Sequence, residues 1–271
     1  MIGSKCNHSV VHYHGTPVWG DKGSIHRIAV TGAGAFVSYL RMDQLAASFK
    51  YAEKVGIDNG AFSAWRRNIH IDWNDFYKCV ENHIDNEKLE FFVIPDVVEG
   101  GEKDNDELIK KLPKHLSKKA VPVWHLHESI ERLIHLCETW ERVCFGSSGQ
   151  FAVIRTKAWH GRMSEAFNAI HANGLNTKIH GLRMLDGRVL GNYPLSSADS
   201  TNLACNVPKY EAKYPEITNN VRNADYAKNV GNDDLKVLIL KTRCAVLKSA
   251  IEKVNPPTLI EWFTKNERQD Q

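Results

Sequence analysis

The sequence predicts one α/β domain in which eight parallel strands alternate with helices and close into a (β/α)₈ or TIM barrel. Eight short apolar, β-branched or aromatic runs alternate with longer segments of helical period. No GxGxxG turn follows the first run, which disfavours an open dinucleotide-binding sheet. The 271 residues also suit a barrel of this kind. We expect a single domain over 1–271, with the barrel core at about 8–202 and a helical extension at about 208–266.

Each predicted strand is a run of four to seven residues between polar or glycine-containing segments. Such runs fit the buried strands of a parallel sheet, which are apolar on both faces. The strands are predicted at Val10–His14, Phe36–Leu40, Val55–Asp58, Phe91–Asp96, Val121–His127, Arg142–Gly146, Lys178–Met184 and Pro194–Asp199.

The segments between the strands place apolar residues at helical spacing, and Ser129 is typical of a helix N-cap. The link Leu185–Tyr193 is too short for a full helix, and Pro208–Thr218 has the composition of a surface loop. Helices are predicted at Met42–Val55, Trp73–Ile84, Asn105–Leu116, from Ser129 to Trp140, Arg162–Ala172, Asp234–Val254 and Thr258–Asn266.

Composition excludes several classes of protein. A net charge of +3 is milder than that of most dedicated nucleic-acid binders, although it is compatible with such a partner. The six cysteines show no CxxC or CxC spacing, which disfavours a cysteine-rich zinc site and suits a reducing compartment. No segment has the ~18 apolar residues of a membrane span, and the start lacks the apolar stretch of a signal peptide. We expect a cytoplasmic protein without a membrane partner.

Polar residues follow nearly every predicted strand at the end where barrel enzymes place their chemistry. Asp58, Asp96 and Asp199 each stand at or near the carboxyl end of a strand, and Gly146–Gly149 forms a turn after another. Each residue alone could serve a turn or a helix cap. Together they predict a site in which two carboxylates break a glycosidic bond, one as nucleophile and one as proton donor. The glycine turn offers backbone N–H groups to an anion or a carbonyl oxygen.

The histidines leave a second interpretation open. A metal-dependent barrel hydrolase could use the side chains of His12, His14, His125, His127 and Asp199. The competing interpretation is that these histidines pack as ordinary polar residues. The G-x-S-x-G, P-loop and HExxH motifs are all missing. We expect no metal and no other cofactor.

A resemblance to a known family appears at these residues. Ile57–Ser63 resembles the D-S-G-G-F-Q segment of tRNA-guanine transglycosylases. A larger set of motifs resembles the smaller phage and bacterial relatives, grouped with the DpdA-type 7-deazaguanine DNA transglycosylases, and runs from about His12 to Asn202. These motifs are Asp58–Trp65, Ile71–Trp73, Ile94–Val97, Val121–Glu128, His180–Arg183 and Tyr193–Thr201.

The resemblance implies a role for each matching position. Asp199 matches the nucleophile that attacks C1′ of the nucleotide, Asp58 the general acid and base, and Asp96 the residue that reads the purine edge. The implied substrate-binding residues are completed by Gly146, Ser147, Ser148, Gly149, His127, Arg183, Phe62 and Trp65.

The chain departs from the tRNA enzymes at two places. Their zinc site, built from C-x-C-x-x-C and a histidine, has no counterpart here, which favours DNA over tRNA as the substrate. Asn59 and Ala61 replace a serine and a glycine of the family pattern.

The working hypothesis is a base-exchanging pentosyltransferase that replaces guanine in a polynucleotide with a 7-deazaguanine base. A target in a duplex would have to be flipped out, and aromatic and arginine side chains beside the pocket would assist. The candidates are Trp65, Arg66, Arg67, Trp124 and Trp159, with packing as the alternative for each. An N-glycosidase, a metal-dependent hydrolase and a non-catalytic nucleic-acid-binding barrel stay open, as does a homodimer.

Overall fold

The computed structural model describes residues 11–16, 24–227 and 229–267, and over these residues nine parallel strands form a single sheet. The order of the strands in the sheet is β5-β4-β3-β2-β1-β9-β8-β7-β6. The strands are β1 His12–Gly15, β2 Gly34–Ser38, β3 Lys54–Asp58, β4 Leu89–Val93, β5 Ala120–Val121, β6 Val123–His125, β7 Arg142–Gly146, β8 Lys178–Leu182 and β9 Ser197–Ser200.

The sheet closes because its two edge strands, β5 and β6, are consecutive stretches of chain separated only by Pro122. Proline has no N–H group for the ladder, so one continuous strand cannot form through it. On one side the Ile94 N–H donates to the Val121 carbonyl at 2.9 Å, and on the other the Cys144 N–H donates to the Pro122 carbonyl at 2.9 Å. The predicted fifth strand is therefore split, and the predicted (β/α)₈ barrel is confirmed.

The barrel interior is filled by inward side chains of adjacent strands. Tyr13, Phe36 and Phe91 pack there with ring centroids 5.6–6.5 Å apart. Gly56 makes room for them, since a Cβ at that position would lie 2.8 Å from the Phe36 ring and 3.1 Å from Phe91. Interiors are close-packed, so these rings close the floor of any opening above them.

Helices cover the outside of the barrel and extend beyond it. In the described part of the chain, short 3₁₀ turns occur at Tyr39–Gln44, Lys114–Lys119, Gly149–Phe151 and Asp225–Ala227. The α-helices are α1 Ser24–Val30, α2 Leu45–Tyr51, α3 Ala61–Arg67, α4 Trp73–Glu81, α5 Glu102–Lys110, α6 Ile130–Thr139, α7 Lys157–Ala172, α8 Gly187–Leu190, α9 Asn202–Asn206, α10 Pro215–Arg222, α11 Asn232–Glu252 and α12 Leu259–Glu267. None of these described helices is long and apolar enough to cross a bilayer.

Several element boundaries differ from those predicted. The helix predicted at Met42–Val55 ends at Tyr51, where Ala52 turns to extended backbone and leads into β3. The helices α1, α3 and α9 were not predicted, and α10 begins inside the segment predicted as a loop and continues beyond it. The predicted N-cap is confirmed, because the Ser129 hydroxyl accepts from the Arg132 N–H. The predicted start of the first strand, Val10, lies outside the described residues.

Helix α11 and the residues just after it contact both histidines of β1. His12 Nε2 lies 2.8 Å from the Val254 carbonyl, and His14 Nε2 lies 2.9 Å from a Glu252 carboxylate oxygen. These contacts tie the C-terminal helices to β1. They also direct both histidine side chains toward α11.

Arg243 of α11 anchors the segment that follows the barrel. Its side chain is fully buried, and its guanidinium group donates to carbonyl oxygens and to a hydroxyl of residues 206–218. A guanidinium group has five N–H donors and stays charged, so its burial requires such a set of acceptors. The acceptors are the carbonyls of Asn206, Val207, Lys209, Lys213 and Tyr214 and the Thr218 hydroxyl.

Replacing Arg243 by methionine should lower the free energy of unfolding by about 3–5 kcal/mol, since several buried carbonyls lose their donor at once. Urea denaturation followed by circular dichroism measures this change. Arg222→Met is the matched control, because Arg222 is exposed and its ion pair within the described part of the chain is with Glu211. Equal stability of the two variants would contradict the assigned role of Arg243.

Candidate active site

A cavity of about 210 Å³ opens at the carboxyl ends of the strands, and every strand position of the barrel contributes to its lining. The three aspartates that the sequence singled out, Asp58, Asp96 and Asp199, all line it. They come from the end of β3, from the segment after β4 and from β9. Residues more than 100 positions apart in the chain thus face one another across a single opening.

Asp58 is the last residue of β3. Burial raises the pKa of its carboxyl group to about 7, and the negative charges of Asp199 and Asp96 contribute to that rise. Both causes disfavour the ionised form. A carboxylic acid that is about half protonated at neutral pH can both donate and accept a proton.

Asp96 is fixed by two neighbours through both of its oxygens. Asn59 Nδ2 donates to Oδ1 at 2.7 Å, and His125 Nε2 lies 2.9 Å from Oδ2. Asn59 is itself fully bonded, because it also donates to the Ile94 carbonyl and accepts from the Ala61 N–H. The carboxylate therefore has a fixed orientation at the cavity wall.

Asp199 is held by a backbone N–H and lies beside a buried histidine. The Arg183 N–H donates to its Oδ1 at 2.9 Å, which Arg183 achieves in a left-handed conformation with φ 59°. His180 Nε2 lies 3.4 Å from the same oxygen, too poorly aligned for a hydrogen bond, while Nδ1 contacts the Ser197 hydroxyl at 2.7 Å. Burial lowers the pKa of His180, so its ring is neutral at physiological pH.

Phe62 and Arg183 form a stacked pair in the cavity wall. The Arg183 guanidinium lies 3.8 Å from the Phe62 ring centroid and donates to the Ser147 carbonyl. Burial is the largest influence on Arg183 and lowers its pKa, while the charges of Asp199 and Asp58 oppose this. The pair places a flat apolar face and a cation at the mouth of a carboxylate-lined cavity.

The glycine turn after β7 lies only partly in the cavity. Gly146 and Ser147 line it, whereas Ser148, Gly149 and His127 do not. His127 Nδ1 contacts the Ser148 hydroxyl at 2.7 Å and Nε2 lies 3.1 Å from the Gly100 carbonyl, so it connects two loops behind the cavity wall.

The tryptophans separate into two groups. Trp124 and Trp159 are fully buried and pack in the core, which was the alternative for both, and the Trp159 indole N–H donates to the hydroxyl of Ser147 in the cavity wall. Trp65 is 50% exposed and does not line the cavity, but its ring contacts Phe62, which does.

A buried network behind the wall supports Asp96 and His125. The Asn105 side chain accepts from the Val97 N–H at 2.7 Å and donates to Glu128 at 2.8 Å. Glu128 in turn accepts from the His125 N–H at 2.8 Å. Sequence reasoning assigned no function to Asn105 or Glu128, because their link to the site depends on packing between two loops.

The histidines of the predicted metal alternative do not converge on one point, although the rings of His125 and His127 stack with centroids 5.6 Å apart. His12 and His14 face α11, His127 bonds to loop atoms, and His125 bonds to Asp96. Among the described residues no group of three or more histidine, cysteine, aspartate or glutamate side chains is arranged to hold a metal ion.

Gly146 should tolerate no side chain. A Cβ there would lie 2.8 Å from His125 Nδ1, so Gly146→Ala should displace the ring that orients Asp96. We expect Gly146→Ala to lower kcat/KM for a reaction at this cavity by about 10- to 100-fold, since a shift of a positioning side chain by about 1 Å can cost that much.

The control for Gly146→Ala is Gly161→Ala in α7, where nothing lies within 4 Å of the added Cβ. That variant should retain the wild-type rate. Steady-state kinetics of both variants tests the prediction, and wild-type kcat/KM in Gly146→Ala would refute it.

No protein-family model matches the chain, and no curated protein shows significant similarity to it. The geometry of the cavity is therefore the basis for assigning a function.

Proposed function

We propose that the chain is a base-exchanging pentosyltransferase that replaces guanine in DNA with a 7-deazaguanine base through an aspartate-linked covalent intermediate. The observation that carries the proposal is the meeting of Asp58, Asp96 and Asp199 in one cavity, with the pKa of Asp58 raised to about 7. A nucleophile, a proton donor and a group that reads the base are the three functions that base exchange requires.

The first half-reaction releases guanine. The Asp199 carboxylate attacks C1′, the bond from C1′ to N9 breaks, and its electron pair goes to the departing base. The base takes a proton from Asp58, which becomes ionised. Asp199 is suited to attack because its Oδ1 is already held by the Arg183 N–H, which leaves the carboxylate oriented.

The second half-reaction reverses these steps with a different base. The incoming base attacks C1′ with its ring nitrogen and gives that proton to Asp58, while the bond from C1′ to Asp199 breaks. Two displacements at one carbon retain its configuration. Both aspartates return to their starting states, so no external reactant besides the new base is needed.

Asp96 accounts for the choice of base. Asn59 and His125 fix both of its oxygens, so its remaining lone pairs present a fixed pattern of acceptors. The N–H groups on the edge of guanine are donors, and a 7-deazaguanine keeps the same edge. An adenine lacks that donor pattern and would leave the remaining lone pairs of Asp96 without a donor, which disfavours its binding.

A DNA substrate is supported by the departures from the tRNA enzymes, and the size of the opening bears only on how the target base is presented. A base within a duplex cannot reach carboxylates at the bottom of such a cavity, so it must be flipped out or single-stranded. The lack of the zinc motif of the tRNA enzymes favours DNA over tRNA.

The proposal is tested by incubating the protein with a guanine-containing DNA oligonucleotide or with tRNA, each with isotopically labelled 7-deazaguanine bases. We expect label to enter DNA and unlabelled guanine to be released in equal amount. Abasic sites without incorporation would indicate an N-glycosidase instead. Binding of DNA without either product would indicate a non-catalytic barrel.

A further inference from the structure

A strip of exposed side chains on α3 starts at the cavity wall; we call Trp65, Arg66 and Arg67 the rim strip. Phe62, one turn earlier in the helix, lines the cavity. The Trp65 ring centroid lies 5.8 Å from that of Phe62, and the Arg66 guanidinium lies 5.9 Å from the Phe62 centroid. All three residues of the rim strip are exposed. Aromatic rings interleaved with arginines are the surface on which proteins hold single-stranded nucleic acid.

Arg66 and Arg67 add positive charge at this place, whereas the charge of Arg183 is partly balanced by Asp199 and Asp58. The guanidinium groups of Arg66 and Arg183 lie 5.9 and 3.8 Å from the Phe62 ring centroid. Burial is the main cause that lowers the pKa of Arg183, the charges of Asp199 and Asp58 oppose it, and the charge of Arg66 makes the smallest contribution. Within residues 11–16, 24–227 and 229–267, neither Arg66 nor Arg67 forms a salt bridge. Two guanidinium groups thus lie beside one ring, and a phosphate group near both of them would be attracted by two positive charges.

The charges inside the cavity limit where a phosphate group can bind. Three carboxylates line its interior, so a phosphate group is repelled from the place where a neutral base is accepted. The phosphates on either side of the target nucleotide must then remain at the mouth. The rim strip and Arg183 provide cations at that place.

We propose that single-stranded or flipped-out DNA docks on the rim strip, with a phosphate between Arg66 and Arg183 and the adjacent base stacked on Trp65. This rests on the proposed function for the identity of the target base. Arg67, next along the helix, extends the same positive surface.

The test measures binding of a fluorescein-labelled DNA 12-mer with one guanine by fluorescence anisotropy, at salt concentrations from about 0.05 to about 0.3 M. All variants carry Asp199→Asn, so that no turnover occurs during the measurement. Arg66→Gln should weaken binding about threefold to tenfold and reduce the slope of log K against log salt by about 0.7, the value of one single-strand phosphate contact. Trp65→Ala should weaken binding about tenfold through lost stacking and leave the slope unchanged.

Lys118→Gln is the charge-matched control, because Lys118 is exposed and precedes β5 at the opposite end of the barrel. It should bind as the parent does. If Arg66→Gln and Lys118→Gln have the same affinity and slope, the rim strip is not a docking site. If a polyglutamate peptide binds with the same dependence on Arg66, the surface recognises acidic proteins and the proposal is wrong.

These outcomes are separable from those of the proposed function. If Arg66→Gln loses binding but the wild type exchanges no base, the docking proposal stands and the proposed function is wrong. If the wild type exchanges base but Arg66→Gln binds as the parent does, the proposed function stands and the docking proposal is wrong.

Discussion

Asp199→Asn should abolish the covalent adduct with DNA and lower base exchange by about 10⁴-fold or more, because the amide cannot act as the nucleophile. The wild type is incubated with labelled oligonucleotide without an incoming base and then quenched with denaturant. On a denaturing gel, its protein band should carry the label. The variant should retain none. An asparagine oxygen can still accept from the Arg183 N–H, so the fold around β9 is preserved.

The matched control for Asp199→Asn is Asp75→Asn, which removes an equal charge from an exposed residue of α4 paired with Lys78. It should form the adduct at the wild-type rate. Base exchange by Asp199→Asn at the wild-type rate would contradict the assigned nucleophile.

Asp58→Asn should lower the rate of guanine release by about 10²–10⁴-fold, the usual contribution of general acid catalysis. Since Asp58 must be protonated to donate and its pKa is about 7, release by the wild type should fall as pH rises above 7. The variant should lack that decline. Single-turnover rates from pH 5.5 to about 9 measure both effects, and an unchanged pH profile in the variant would argue against Asp58 as the proton donor.

Asp58→Asn should raise the stability of the fold although it lowers the rate. The folded-state pKa of Asp58 lies above the ordinary value of 3.8, so its contribution to stability is fully present below that value and is lost as pH rises through 7. Asp58→Asn removes this dependence. At pH 8 the variant should be more stable than the wild type by up to roughly 4 kcal/mol, and the advantage should shrink toward pH 5. Thermal denaturation at both pH values tests this and shows that the slow variant is folded.

The fold was predictable because the strands of a parallel barrel are short, apolar and regularly spaced. The eight runs found in the sequence correspond to the observed strand positions, with the fifth divided at Pro122. Helix boundaries were less predictable. Helix α3 follows directly on β3 through Gly60 with φ 82°, and its seven residues are too few to show a helical period.

The site was predictable to the extent that strand ends meet at one rim of a barrel. Asp58, Asp96 and Asp199 line one cavity as predicted, whereas the orientation of His12 and His14 depends on residues more than 200 positions away in the chain. The supporting role of Asn105 likewise arises from contact between loops. Side-chain direction at a strand end is decided by neighbours that no local pattern records.

The most direct test of the account is a crystal structure of the protein soaked with a 7-deazaguanine base. We expect the base inside the cavity, with its N–H edge on Asp96 and its ring nitrogen within hydrogen-bonding distance of Asp58, and with room for C1′ beside Asp199. A base bound elsewhere on the barrel, or one in the cavity that contacts none of the three carboxylates, would contradict it.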